Sequence, residues 1–162
     1  MNIRKILEYA LQREHEGKAF FLNNAERLSN AAATQAFKAI AAEEQRHIEF
    51  IQAQINNLDA KESDKKTAPD LDESGFFADR ADSEMIEQTV NEAMVADLPV
   101  LRMAYLIERD FAEFYAQAAS KTEGDARIIL EFLGRWESGH ERLFKKMHDD
   151  AFEKYAEMPW GG

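Results

Sequence analysis

The stretch "IAAEEQRHIEF", residues 40–50, carries a contradiction that decides the fold. Ile40 and, just past its end, Ile51 fall on the apolar stripe of a helix, three or four residues apart from their neighbours on the stripe. Glu44 and His47 fall on the same stripe, where an uncompensated charge costs several kcal/mol. Either the stripe is not buried, or something in the core answers the charge.

Working outward from this stretch, the three-four spacing continues in both directions and recurs elsewhere in the chain. Ala33, Phe37, Ile40, Glu44, His47, Ile51 and Ile55 form one seam. Before it come Leu7, Ala10, Glu14, Gly17, Phe21, Asn24 and Leu28; after it come Leu101, Ala104, Glu108, Phe111, Tyr115 and Ala118. The last seam holds Ala126, Leu130, Leu133, Glu137, His140, Phe144, Met147 and Ala151. Alternating spacings of three and four are the pattern of helices packed in a left-handed bundle. The sequence therefore predicts an all-α four-helix bundle in one domain, 1–162.

The links between the seams set the topology. "LSNAAAT", residues 28–34, is a short turn with Ser29 or Asn30 as cap of the second helix. "SKTEGDA", residues 120–126, is another, with Gly124 as breaker and Asp125 as expected cap. Short links make antiparallel hairpins, at about 5–58 and 98–150. Between them runs a crossover, 59–97, whose first part "DAKESDKKTAPDLDESG" is charged and carries Pro69 and Gly75. Its later part, 82–95, has Ile86, Val90, Ala93 and Met94 on one face and is expected to form a short extra helix; Asp97 and Pro99 then open the third long helix. A link of about 40 residues can run the length of a helix of about 28, on the order of 42 Å. Residues 151–162 are expected to be a tail.

Composition narrows the function. The chain has 162 residues, a net charge of −11 and no cysteine. An acidic chain is a poor partner for nucleic acid. Without cysteine there are no disulfides, no thiolate metal sites and no cysteine nucleophile. No apolar run approaches the roughly 20 residues that cross a bilayer, and "MNIRKILEYALQREHEG" lacks the pattern of a signal peptide. The expectation is a cytoplasmic protein with neither nucleic-acid nor membrane partner.

The two hairpins repeat one another. "EHEGKAFFLNNA", residues 14–25, aligns with "ERDFAEFYAQAA", residues 108–119, at an offset of 94. "IAAEEQRH", residues 40–47, aligns with "LGRWESGH", residues 133–140, at an offset of 93. This is the mark of an internal duplication with pseudo-two-fold symmetry. Each long helix sends one carboxylate to its seam: Glu14, Glu44, Glu108 and Glu137. His47 and His140 follow three residues after a glutamate, on the same helix face. Four carboxylates in one core need protons, arginines or cations, and the seams hold no Lys or Arg. Four Glu and two His are the ligand set of a dinuclear centre in a helix bundle. Oxygen and nitrogen donors without sulfur suit two iron ions, with manganese or zinc as substitutes. Glu43 competes with Glu44 for the inward position, but the spacing to His47 and the match to Glu137 select Glu44. Tyr115, on the third seam, is placed either to hydrogen-bond a ligand carboxylate or to pack in the core, and Tyr105 and Trp136, which adjoin the ligand positions in sequence, either support the ligands or simply pack. His15 and His148 are expected to face solvent.

These residues resemble the rubrerythrin-like branch of the ferritin-like superfamily. "ALQREHEGKAFF", "FKAIAAEEQRH", "AYLIERDFAEFY" and "LGRWESGH" are similar to that family's four metal-bearing helices, in the same order. The resemblance implies that Glu14 and Glu108 each bind mainly one iron, that Glu44 and Glu137 bridge, and that His47 and His140 each bind one iron. Three departures stand out. Phe111 occupies a position where rubrerythrins carry a further glutamate; the first helix has Phe20-Phe21 where the family has an aromatic pair ending in tyrosine; and the rubredoxin module, which needs cysteines, is missing. The resemblance implies a non-haem diiron oxidoreductase acting on hydrogen peroxide or oxygen, supplied with electrons by a separate donor and acting as a homodimer. A ferroxidase or iron-binding protein without reductive turnover, and a metal-stabilised structural bundle, remain open alternatives.

Overall fold

Asn2 opens the first helix by accepting the Lys5 amide on its side-chain oxygen at 3.4 Å. The computed structural model describes residues 2–60 and 92–159, and in it four long helices carry the chain. They are α1 (Ile3–Ala25), α2 (Ala31–Asp59), α4 (Leu98–Ala119) and α5 (Gly124–Glu157), with one helical turn, α3 (Glu92–Val95), ahead of α4. No strand occurs among the described residues. Helix α1 packs along α2 and α4 along α5, and the hairpins meet through α1 against α4 and α2 against α5. This is the all-α bundle the seams predict.

Local chemistry sets the ends. Asn30 caps α2, accepting the Ala33 amide at 3.0 Å. Asp97 precedes α4 but caps nothing there; its buried carboxylate accepts the amides of Ser29 at 2.7 Å and Asn30 at 2.9 Å. It thus ties the start of the second hairpin to the turn of the first, and satisfies backbone donors that would otherwise be orphaned at the head of α2. Asp125 does not cap α5. The helix begins one residue earlier at Gly124, whose φ of +63° suits glycine, and Asp125 lies in the first turn, where a carboxylate favours the helix dipole.

Two boundaries differ from the sequence expectation. Helix α5 runs on to Glu157, past the expected end near 150, because Ala151 continues the buried seam and no proline interrupts it before Pro159. The tail expected at 151–162 is therefore largely helix. Of the extra helix expected over 82–95, only Glu92–Val95 lies within the described residues, and Met94 there is buried; residues 61–91 of the crossover lie outside them.

The core is divided by a polar layer. On one side Phe21, Phe37, Ile40, Leu101, Phe144 and Met147 pack together, with Phe21 stacked on Phe144 at 5.2 Å. On the other side lie Leu7, Ala10, Ile51, Ile55, Leu130 and Leu133. Each such side chain contributes roughly 1.5–3 kcal/mol by leaving water. Two apolar plugs of this kind hold the four helices in register and seal the layer between them from solvent at both ends.

Candidate metal centre

The layer between the plugs is made of the six side chains the seams single out. Glu14 on α1, Glu44 and His47 on α2, Glu108 on α4, and Glu137 and His140 on α5 all have zero exposure. They fall into two overlapping groups, Glu14–Glu44–His47–Glu137 and Glu44–Glu108–Glu137–His140, with the donor atoms of each group within 4.8 Å of one another. Glu44 and Glu137 belong to both. Each group otherwise draws its own glutamate and histidine from a single hairpin.

The distances are those of ligands sharing an ion. His47 Nδ1 lies 2.9 Å from Glu137 Oε1, 3.1 Å from Glu14 Oε2 and 3.6 Å from Glu44 Oε2. His140 Nδ1 lies 3.2 Å from Glu44 Oε1, 3.3 Å from Glu137 Oε2 and 3.5 Å from Glu108 Oε2. Adjacent ligands on an octahedral ion bound at about 2.1 Å are about 3 Å apart. Yet both oxygens of Glu44, Glu108 and Glu137, and Nδ1 of His140, are buried without a hydrogen-bond partner among the described residues. Buried polar atoms without partners are rare in folded proteins. Here they lie close but aim their lone pairs at a common space rather than at one another, which fits a pair of cations.

Electrostatics without the cations follows from the same packing. Burial, with Glu44 beside it, pushes the Glu14 carboxyl up to about 8. Burial also raises Glu108 well above the usual carboxyl range. For His47, burial opposes the charge, but Glu137 and Glu14 outweigh it and hold the ring protonated well above the usual range. His140 is raised likewise against burial, chiefly by Glu108. Glu44 and Glu137 are lowered despite burial, Glu44 by the nearby Glu14, His140 and His47 and Glu137 by the charge of His47 and then by His140. In the metal-free cluster the packing thus favours the neutral form of Glu14 and Glu108 and the charged form of Glu44, Glu137 and both rings, so that charges of opposite sign face one another. Two divalent ions would balance four carboxylates and two neutral imidazoles.

Neighbours of the six differ in kind. The Tyr115 hydroxyl, fully buried, donates to Glu14 Oε1, one of the six clustered carboxylate and imidazole side chains. Burial, then Glu14, raises this phenol well above its ordinary range, and it stays a donor. Glu43 is also buried, at 4%, and its Oε2 accepts Trp136 Nε1 at 2.7 Å and faces His140 Nε2 at 2.8 Å. Sequence reasoning treated Glu43 only as a rival of Glu44. The signal that finds it is the repeat itself, since Glu43 falls opposite Trp136 at the offset of 93. Tyr105 does not reach the ligands; it packs against His148 at 5.3 Å and carries Arg109 over its ring. His15 is exposed, whereas His148 is half-buried between Tyr105 and Phe152, because α5 continues past 150 and brings Phe152 beside it.

An all-α bundle of two hairpins around a buried carboxylate and imidazole cluster is a ferritin-like fold of the diiron carboxylate class. The Rubrerythrin family model matches residues 5–148, and the chain belongs to that family. No curated protein and no solved structure matches the sequence. Among the described residues no helix is long and apolar enough to cross a membrane.

Proposed function

We propose that this protein is a non-haem diiron oxidoreductase that reduces hydrogen peroxide, or reacts with oxygen, at the centre between its hairpins. The observation that carries the reading is the pair of buried groups sharing Glu44 and Glu137, in a chain of the rubrerythrin family. Glu14 and His47 would complete one ion position, and Glu108 and His140 the other. A pair of ferrous ions held by these six residues would supply the two electrons needed to break the O–O bond. Peroxide, two electrons and two protons then give two waters, and the electrons return from a donor outside these 162 residues, which hold no cysteine for a rubredoxin iron. The protein's own part is to hold the ligands, exclude bulk water and keep protons at hand. The apolar plugs do the second of these. Tyr115, a buried phenol that keeps its proton and donates to Glu14 Oε1, is the group beside the layer best suited to the third.

Anaerobic loading with Fe(II), followed by rapid mixing with peroxide or oxygen, tests the reading. Fast appearance of near-ultraviolet ferric absorption, reversed by added reductant over repeated cycles, is the expected result. No spectral change with either oxidant would remove it. The net charge of −11 favours a second reading, in which the protein oxidises or carries iron without reductive turnover. Iron counted per chain after aerobic loading separates the two, because storage requires far more than two ions.

A further inference from the structure

The duplication leaves one mismatch behind the ligands. Glu43 and Trp136 are equivalent in the repeat, and each directly precedes one of the two shared glutamates. Each also reaches across to the histidine of the other hairpin. The Trp136 ring stands edge-on to His47, with centroids 4.4 Å apart and planes at 76°. Glu43 meets His140 differently, with Oε2 at 2.8 Å from Nε2, the ring nitrogen turned away from the cluster. His47 Nε2, its counterpart, is buried with no hydrogen-bond partner among the described residues. The two histidines therefore present the same atom, Nδ1, to the centre, but only one is backed by a carboxylate. Glu43 is itself fixed: Trp136 Nε1 donates to the same Oε2, and the Arg46 guanidinium lies 3.5 Å from Oε1.

A carboxylate that accepts the outer N–H of a ligand histidine fixes its tautomer, holds the ring in place and makes the inner nitrogen a stronger donor. We propose that Glu43 is a positioning residue that makes the two ion positions unequal, so that the Glu108–His140 position takes its divalent ion first and holds it more tightly than the Glu14–His47 position. This rests on the metal reading above.

The test uses cobalt(II) as the probe, added to the full metal-free chain and followed by its visible spectrum and by calorimetry. His47→Ala and His140→Ala each leave one position intact. In the His47→Ala background, Glu43→Gln should weaken cobalt binding about 10- to 100-fold. In the His140→Ala background the same change should alter it by less than about twofold. A measurement on the wild type stands beside this, whatever the variants' folding. The cobalt-loaded chain, labelled with nitrogen-15 at histidine, should show one hyperfine-shifted ring N–H that exchanges slowly with water, that of His140. Equal losses in the two backgrounds, no loss in the His47→Ala background, or two ring N–H signals of equal exchange would overturn the proposal and leave the metal reading standing. A wild-type chain that binds no cobalt would overturn both.

Discussion

The half of the centre built on Glu14 and His47 and the half built on Glu108 and His140 use the same ligand types at the same depth, but the support behind them is exchanged. In the first half the glutamate is held, by the Tyr115 hydroxyl, and the histidine's outer nitrogen is not. In the second half the histidine is held, by Glu43, and both oxygens of Glu108 lack a partner. The repeat explains the exchange. Tyr115 corresponds to Phe21, which has no hydroxyl to offer Glu108, and Glu43 corresponds to Trp136, which has no acceptor to offer His47. A duplicated hairpin fixes where ligands go, and the residues around them are then free to diverge, one half at a time.

The largest effect separates shared ligands from unshared ones. Glu44→Gln or Glu137→Gln removes a carboxylate from both groups at once and should leave the chain unable to retain either ion through desalting. Glu108→Gln removes one from the second group alone and should leave one ion bound. Elemental analysis of each variant, with helix content as a control for folding, reads the difference. If Glu44→Gln and Glu108→Gln each kept one ion, the two halves would not share their ligands.

Metal removal comes next. Without ions, His47 and His140 have folded pKa values above their unfolded ones, so the stability they contribute is complete below the unfolded value and is lost as pH rises through the folded one. Glu14, at about 8 against an ordinary 4.5, takes up a proton on folding between those values, and its ionisation weakens the fold over the same interval. All three have one sign: the metal-free protein loses stability with rising pH. Ion binding must expel these protons and that of Glu108, about four in all, so affinity rises with pH. At a free ion concentration a hundredfold above Kd, loading adds about 2.7 kcal/mol, or roughly 5–10 °C in Tm for a chain of this size. Calorimetry between about pH 6 and 8 should show the gap between loaded and metal-free Tm widening with pH, and buffers of different ionisation heat should report the protons released. A gap that narrows would contradict the protonated cluster.

How much of this could be read from residues alone differs between the seams and their surroundings. The three-four spacing points to the inward-facing glutamates and histidines of the four helices, since periodicity is a property of one helix and needs no knowledge of the partner. All six lie in the layer where that spacing puts them. Glu43 escaped because it lies one step off the stripe of α2, and only the placement of α5 turns that step into burial against Trp136 and His140. Asp97 and Pro99 mark the start of α4 by their local pattern, as the structure has it, but the partners of the Asp97 carboxylate, Ser29 and Asn30, belong to the other hairpin and no local rule points to them. The end of α5 was missed because charged residues around Ala151 look like a tail until the seam is followed one turn further. Local chemistry was legible, and contacts between hairpins were not.

A smaller effect tests how the halves fit against each other. Gly17 and Phe111 are equivalents in the repeat and touch: a Cβ at position 17 would lie 3.0 Å from Phe111 Cε2 and 3.8 Å from Glu44 Oε2. A bulky ring on one side of the pseudo-two-fold needs a bare backbone on the other. Gly17→Ala should therefore destabilise by about 1–3 kcal/mol through overpacking, against the gain in helix propensity that alanine brings elsewhere. Phe111→Leu should recover much of that loss in the double variant, measured by denaturant unfolding. Additive losses would mean that the two sites do not feel each other.

The smallest change makes the halves alike. Tyr115→Phe gives the first half the residue the second half already has at Phe21, and leaves Glu14 as unsupported as Glu108. In the metal-free chain Glu14 loses its donor, at a cost of about 1 kcal/mol, since the carboxyl is largely neutral below about pH 8 and a neutral acceptor is the cheaper one to abandon. In the loaded chain both ions should remain, because Tyr115 touches a ligand and not the shared carboxylates. What should change is the reaction with oxidant: with the phenol gone, the proton held between Tyr115 and Glu14 is lost, and the rate of peroxide turnover should fall about tenfold or more with unchanged iron content. If turnover is untouched, the hydroxyl serves only to hold Glu14, and the two halves differ in support but not in chemistry.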